Sequence, residues 1–285
     1  MKRWMLGTLC LLLACTAWAG RSANAVRKLS EASMLVTGWI EVMPDGTVHQ
    51  YTVDHPEKLP SVVVDLMQKA APNWKFHLND NINAIHRARM NVRIVAKRID
   101  DTHDSISIAS ASFGEPNATP TDQVSFKDRP LPIYPPEAIQ YRVEGTVYLF
   151  LRVGKQGQVE DVAAEQVNLD EYGDENQMEH FRHMLGSAAV NAAKKWTYHL
   201  PSTGKHVSDP YWYVRVPVNF GLIDRSHPSN KDTYGQWEPY IPGPRVSIPW
   251  AKQDAKASPS SDAIPPGSIS AAEPSLQLMS ELGGT

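Results

Sequence analysis

Two histidines in one segment carry the strongest suggestion of metal chemistry in this chain. His180 and His183 are three residues apart, and Glu179 precedes them. Side chains three apart lie on one face of a helix, so two imidazoles can approach the same metal ion. Met178 and Phe181 mark the buried face of that helix, which places both histidines on or near its solvated flank. A metal-dependent hydrolase using His180 and His183 stays an alternative, but we expect no metal site.

Other residues with catalytic spacing are better explained as turns. Ser202 and Lys205 have the Ser-x-x-Lys spacing of some acyl-enzymes, but such a serine must open a helix inside a cleft. Pro201 and Gly204 indicate instead a turn in a loop between strands. A second polar cluster, typical of a solvated turn, consists of Asp101, His103 and Asp104. The sequence contains no phosphate loop, nucleotide fingerprint or nucleophile elbow, so we expect neither catalysis nor a bound cofactor.

The elements that surround these residues form a ββαβ pattern in the second half of the chain. Residues 145–153 alternate between two faces, and residues 154–157 supply a turn into a second strand. An apolar stripe at helical spacing begins near Glu175 and ends at Trp196, so the helix must cover one face of the sheet. Residues 211–220 are rich in aromatic and β-branched side chains and form the last strand.

The first half repeats this order of elements. Two strands flank the Pro-Asp-Gly turn at residues 44–46, and an apolar helical stripe then leads to Trp74. The offset from Trp74 to residues 92–95 equals the offset from Trp196 to residues 214–217. This equality indicates an internal duplication of a ββαβ unit, with both tryptophans in the core. The alternative is that two unrelated α+β units share a common pattern.

Three motifs of the second half together resemble the C-terminal domain of TonB-type energy transducers. That family combines a Tyr-Pro-x-x-Ala opening, a Glu-Gly-x-Val strand, and a helix ending in Ala-x-x-x-Trp-x-Tyr or Phe before a last strand. Here the motifs occupy residues 134–138, 144–147 and 192–198. The resemblance spans about residues 129–222. It implies a small α+β domain that receives a segment of an outer-membrane transporter by strand addition.

The resemblance also implies where a peptide binds. The matching elements are the Tyr-Pro pair and the last strand at residues 213–218. Pro217 lacks an N–H, which suits an edge position. The implied partners are extended segments of envelope or outer-membrane proteins, with a link to TonB-type transmembrane transport. The implied peptide-binding residues are Tyr134, Pro135, Tyr213, Val214, Arg215 and Val216.

Three departures separate the chain from a true energy transducer, which is the alternative within the family. A transducer keeps an N-terminal helix in the inner membrane with a histidine in the span, and residues 1–20 contain none. Its Pro-rich spacer precedes the domain, whereas here the Pro-rich segment follows it. Family members also commonly have a glutamine shortly before the Tyr-Pro pair. This chain has the sequence Arg-Pro-Leu-Pro-Ile there, at residues 129–133.

The N-terminus predicts export. Lys2 and Arg3 precede an uncharged run, and the Ala-Trp-Ala sequence at residues 17–19 offers the small residues that a signal peptidase reads. We interpret residues 1–19 as a cleaved signal peptide, which places the protein in the periplasm of the cell envelope. The Leu-Leu-Ala-Cys sequence ending at Cys15 resembles a lipobox, so a lipoprotein is one alternative. An uncleaved anchor is another, although the run is short for a membrane span.

Composition excludes several other function classes. The net charge of -3 provides no basic field for nucleic acid or anionic lipid. Both cysteines, Cys10 and Cys15, lie in the expected signal peptide, which leaves the mature chain no disulfide, thiol nucleophile or Cys-based metal site. We therefore expect contact with a membrane only through partners or a lipid on Cys15. The sequence leaves the oligomeric state open.

These patterns together predict an α+β fold with two ββαβ repeats, each a small antiparallel sheet covered by one helix. Residues 105–109 add the pattern of a short strand. The C-terminal tail is rich in Pro, Ser and Ala, and we expect it to be disordered. The expected divisions are a signal peptide at 1–19, a degenerate TonB-like repeat at 20–110, a linker at 111–128, the TonB C-terminal-like domain at 129–224 and the tail at 225–285.

Overall fold

The computed structural model describes residues 31–78, 83–99, 103–114, 121–222, 233–251, 261–271 and 276–283. These residues form antiparallel sheets packed against helices, so the expected α+β class is confirmed. The expected signal peptide, with Cys10 and Cys15, lies outside the described residues, and so does Asp101.

The first unit (residues 31–114) is built around one central strand. Its elements are β1 (Glu31–Val42), β2 (Val48–Val53), α1 (Ser61–Ala70), β3 (Phe76–Leu78), β4 (His86–Arg98) and β5 (Asp104–Gly114). β1 pairs with β2 on one side and along its full length with β4 on the other, and β5 extends the sheet beyond β4. β5 extends beyond the expected strand at residues 105–109. Its pairing with β4 continues past a bulge opposite Arg93 and Ile94 of β4, where the simple alternation of side chains fails.

The second unit (residues 121–222) is also built around a central strand. Its elements are β6 (Ser125–Asp128), α2 (Pro136–Gln140), β7 (Gly145–Gly154), β8 (Val159–Leu169), α3 (Glu175–Ala193), β9 (Thr197–His199) and β10 (Tyr211–Phe220). β7 lies between β8 and β10. Asp174 and Gln177 form a capping box that fixes the start of α3. β6 falls within the expected linker, because four residues are too few to show a clear alternation.

Each unit has one core on the helix side of its sheet. The buried face of α1 shares a core with Trp74, β1 and β4. The buried face of α3 packs on β8 and β7 and shares a core with Trp196 and β10. Both tryptophans are 1% exposed. Their expected place in the core is thus confirmed.

The two hairpin turns share an unusual contact. Gly46 and Gly157 both have positive φ, at 83° and 78°. Their carbonyl oxygens accept hydrogen bonds from the backbone N–H groups of Phe76 at 2.9 Å and Tyr198 at 2.7 Å. A side chain at either position would clash with the carbonyl oxygen of that same partner. Glycine is therefore required at both turns, for conformation and for close approach.

The described parts of the tail are folded onto both sheets. They form β11 (Glu238–Tyr240), a 3-10 turn (Ser261–Ala263), β12 (Ser270–Ala271) and β13 (Leu276–Leu278). β11 pairs with β1, β12 with β10 and β13 with β3. The expectation of a disordered tail is therefore wrong for these residues. Apolar residues such as Ile248 and Leu276 are buried against the units, but they stand too far apart among prolines to show a period.

A polar network holds part of the tail between the sheets. The carboxylate of Asp262 accepts hydrogen bonds from Ser110 Oγ and Tyr240 Oη, both at 2.5 Å. The backbone carbonyl of Asp262 accepts two more from Arg93, each at 3.0 Å. Tyr148 of the second sheet interacts with the same Arg93. The tail therefore links the sheet faces that are turned away from the helices.

Candidate peptide-binding site

β10 has an outer edge on the side away from β7. All 10 residues of β10 pair with β7, whereas strand pairing on the outer side is limited, within the described residues, to Val214 and Arg215. The carbonyl of Pro217 accepts a hydrogen bond from Arg129 Nη2 at 3.3 Å, so the backbone of Pro217 faces outward. Alternate residues of an antiparallel strand point to the same side. The backbones of Arg215 and Asn219 therefore also face the outer edge.

The tail covers the middle of this edge. β12 pairs Ala271 with Val214 and Ser270 with Arg215. The same part of the tail contacts Arg129, whose Nη1 lies 3.5 Å from the carbonyl oxygen of Gly267. An incoming strand would therefore meet β12 at the centre of β10 and reach the exposed Asn219 end beyond it.

Four of the expected peptide-binding residues are buried on β10, namely Tyr213, Val214, Arg215 and Val216. Val214 and Val216 belong to the core beneath α3. Tyr213 packs on the other face against Phe150 and Trp250, and its hydroxyl donates to the carbonyl oxygen of Trp250 at 3.2 Å. Of these four residues, only Tyr213 and Arg215 lie an even number of residues from Pro217, so only their backbones face the outer edge.

Tyr134 is held inside its own unit. Its hydroxyl donates to the carbonyl oxygen of Val143 at 2.6 Å, and its ring meets the edge of Phe220 with centroids 5.4 Å apart. Burial raises the pKa of the hydroxyl to about 12, so it remains a neutral donor near neutral pH. Pro135 directly precedes α2. The contacts of Tyr134 thus lie at the Phe220 end of β10 and not at residues 213–216.

A buried ionic cluster behind β10 was missed by the sequence analysis. Arg215 Nε donates to Glu165 Oε2 at 2.8 Å, and the two side chains are only 2% and 5% exposed. Arg245 of the tail donates to Glu165 Oε1 from Nη2 at 2.6 Å. Burial favours the neutral form of Glu165, but the hydrogen bonds and charges of both arginines outweigh it and lower the pKa. An arginine within an apolar strand is the signal that indicates such a cluster.

An open cavity of about 300 Å³ adjoins this cluster. Its polar wall carries two guanidinium groups and one carboxylate, which leaves one net positive charge that favours an anionic group. Its remaining wall is largely apolar and comes partly from the tail. The lining residues are Phe150, Glu165, Arg215, Arg245, Val246, Ser247, Ile248 and Ala251.

A carboxyl group with a raised pKa lies just after β8. Burial, followed by the charges of Glu144 and Glu238, raises the pKa of Asp170 to about 7. The backbone N–H of Asp170 donates to the carbonyl oxygen of Glu144 at 3.1 Å. Glu238 belongs to β11, so the tail contributes to the electrostatic environment of this carboxyl group. The ionised form is disfavoured because burial and like charges both oppose it.

The residues considered for catalysis lie at the surface or in loops. His180 Nε2 is 3.0 Å from Glu137 Oε1, and both side chains are about half exposed. Across the described residues, no group of three or more His, Cys, Asp or Glu side chains is arranged to hold a metal ion. Ser202 lies in the loop before β10, where its backbone N–H donates to the carbonyl oxygen of Thr121 at 2.7 Å.

No protein-family model, curated protein or solved structure matches this chain. In the part of the chain that the structure describes, no helix is both long and apolar enough to cross a membrane. The functional proposal is therefore based on the geometry of β10 and of the residues around it.

Proposed function

We propose that the chain is a periplasmic, TonB C-terminal-like interaction module that binds extended segments of envelope or outer-membrane proteins. Binding occurs by strand addition along the outer edge of β10, in connection with TonB-type transport and without catalysis. The observation that carries this proposal is the outward-facing backbone of Arg215, Pro217 and Asn219. Backbone hydrogen bonds along such an edge select an extended conformation and depend little on the ligand's side chains.

The proposed architecture is a pair of ββαβ repeats, the first degenerate. The common strand order supports it, since β2-β1-β4 corresponds to β8-β7-β10. The matched hydrogen bonds of Gly46 and Gly157 support it as well. Two isolated bridges repeat the correspondence, Thr47 with Lys75 and Gln158 with Thr197. Duplication followed by divergence explains why only the second unit carries the Tyr-Pro-x-x-Ala opening.

In this proposal, β12 is a resident strand that a ligand extends or displaces. β12 contributes two residues to the ladder with β10. Each backbone hydrogen bond contributes only about 0.5–1.5 kcal/mol net, so β12 is weakly held by its ladder alone. A ligand strand that pairs along residues 213–219 forms a longer ladder than β12 does. The tail then sets a threshold affinity that a partner must exceed.

A backbone substitution at an exposed residue tests this edge. Asn219→Pro removes an outward N–H, whereas Asn219→Ala removes only the side chain, whose amide lies 3.4 Å from Thr146 Oγ1. Full-length variants would be expressed in the native cell, cross-linked and purified, with partners quantified by mass spectrometry. We expect Asn219→Ala to retain its partners and Asn219→Pro to lose about tenfold in recovery. Full retention by an Asn219→Pro protein with an unchanged thermal midpoint would exclude strand addition at this edge.

The proposed location rests on the interpreted signal peptide. Mass spectrometry of the native protein's N-terminus tests it directly. A start at Gly20 is expected for a free periplasmic protein. A lipidated Cys15 would make the protein a lipoprotein, and an intact Met1 would favour an anchored transducer.

A further inference from the structure

The short strand β3 receives its partner from the far end of the chain. β13 pairs with β3 in antiparallel orientation, with Leu278 opposite Phe76. Four residues after Leu278, the carbonyl oxygen of Leu282 accepts the indole N–H of Trp74 at 3.1 Å. The segment 276–282 therefore supplies both a strand and a hydrogen-bond acceptor to the first unit.

The second unit contains the same arrangement with a local strand. β6 pairs with β9 in antiparallel orientation, with Phe126 opposite Tyr198. Four residues after Phe126, the carbonyl oxygen of Pro130 accepts the indole N–H of Trp196 at 2.9 Å. The two tryptophan contacts span 66 residues in the second unit and 208 in the first. In each unit, the tryptophan and the short strand that follows it form a surface that we call the groove. The groove is filled by a nearby segment in the second unit and by a distant segment in the first.

The apolar side chains of the two segments also correspond. When Leu278 is aligned with Phe126, Leu276 is aligned with Val124, and all four side chains pack against the core of the unit they join. Leu276 is only 1% exposed. Leu282 packs against the first core as well. Strand register, apolar spacing and the indole acceptor therefore agree, which indicates that the fold of the unit shapes this groove for an extended strand.

We propose that β3 and Trp74 form a second strand-acceptor site, filled in cis by residues 276–282 and able to bind an extended segment of a partner protein. The ligand carries branched apolar residues at its first, third and seventh positions, as Leu276, Leu278 and Leu282 do. Side-chain burial provides affinity, the short ladder enforces an extended backbone, and the Trp74 indole fixes the register. This site is separate from the outer edge of β10.

A partner protein suits this site better than a second copy of the chain. β13 follows β12 after only residues 272–275, and β12 is itself paired with β10. The chain's own segment is therefore held near the groove at a high effective concentration, which favours occupancy in cis over exchange between copies. A displacing ligand is then a foreign segment that fits the same three apolar positions better.

The test opens the site without truncating the folded chain. A protease recognition sequence is inserted within residues 272–275 of the full chain, which folds intact and is then cut. If the C-terminal fragment stays associated during gel filtration, the site binds a strand in trans. If it leaves, the emptied protein is titrated with a fluorescent peptide of residues 274–285. We expect saturable binding, and a Leu278→Asp peptide should bind at least about tenfold more weakly.

Matched tryptophan variants locate the binding site. Trp74→Phe removes the indole donor of the first unit, and Trp196→Phe removes the equivalent donor of the second unit. We expect weaker peptide binding only in Trp74→Phe. Loss of the fragment without binding of the peptide would refute the proposal, as would equal binding of the Leu278→Asp peptide or equal effects of the two variants. A doubled mass of the uncut chain in light scattering would overturn the assignment to a partner, because the segment would then be exchanged between copies.

Discussion

Arg215 and Glu165 form a buried ion pair that joins β10 to β8, with Nε and Oε2 2.8 Å apart. The pair gives the Arg215 side chain a structural part in the second unit, although its backbone faces the proposed binding edge. Arg215→Pro would therefore break the ion pair together with the ladder position, and a loss of binding could not be assigned to either. The exposed Asn219 separates the two effects.

The two arginines of the cluster should differ in their contribution to stability. Arg215→Ala leaves the carboxylate of Glu165 buried with only one cation, so we expect a loss of about 3–5 kcal/mol in the free energy of unfolding. Arg245→Ala should cost about 1 kcal/mol or less, because its side chain is 38% exposed and Arg215 remains. Chemical denaturation of both variants measures the difference. Equal losses would show that the tail's arginine is as important as the buried one.

A variant of Tyr134 distinguishes a contribution of this residue to stability from a contribution to peptide binding. Tyr134→Phe removes the donor to the buried carbonyl of Val143 and should cost about 1–3 kcal/mol in the free energy of unfolding. Recovery of envelope partners should be unchanged, since the hydroxyl and the ring contact Val143 and Phe220 of the unit's own core. Tyr141→Phe, at a side chain that is 57% exposed, is the control for stability. A Tyr134→Phe protein that keeps its stability but loses its partners would show that the Tyr134 hydroxyl takes part in binding.

The local elements of both units could be predicted from the sequence. The enrichment in aromatic and β-branched residues predicted the observed bounds of β10, and the helical stripe predicted the start of α3 near Glu175. Buried faces with a regular period leave a signal in any window of about ten residues. The place of Trp74 and Trp196 in the cores follows from the same stripes.

The contacts made by the tail could not be predicted in this way. β12 has two residues and β13 three, so neither shows a period. Their pairing with β10 and β3 is set by distant surfaces, and a short strand contains no signal of its partner's register. Arg245 likewise resembles any exposed arginine until its contact with Glu165 is known. The strand of the candidate site was therefore predicted from the sequence. The partial cover of its outer edge by the tail was not.

Asp170 should make the stability of the protein depend on pH. Its pKa rises from 3.8 to about 7 on folding, so the native state retains a proton that the unfolded chain releases between those values. The free energy of unfolding therefore falls as pH rises from about 4 to 7. Asp170→Asn removes the ionisable group and with it this fall in the free energy of unfolding. The variant should therefore be more stable than the wild type above pH 7 and equally stable near pH 4. Glu179→Gln, at an exposed helix position, is the control.

Denaturation at several pH values checks this prediction. The difference between Asp170→Asn and the wild type should grow steadily across the window, while the difference for Glu179→Gln should stay small. A wild type that gains stability relative to Asp170→Asn with rising pH would mean that the ionised carboxylate is favoured in the fold, contrary to its burial beside Glu144 and Glu238.

The two hairpin glycines should respond alike to substitution. Alanine at Gly46 or Gly157 must adopt a positive φ, which costs about 1–2 kcal/mol, and its Cβ would also clash with a backbone carbonyl. Gly204 and Gly267 are matched controls, since both have positive φ but no atom closer than 3.9 Å to an added Cβ. We expect the hairpin variants to lose about 1–3 kcal/mol more free energy of unfolding than the controls. Losses no larger than those of the controls would show that the turns relax easily, and a large loss at only one glycine would weaken the proposed correspondence between the units.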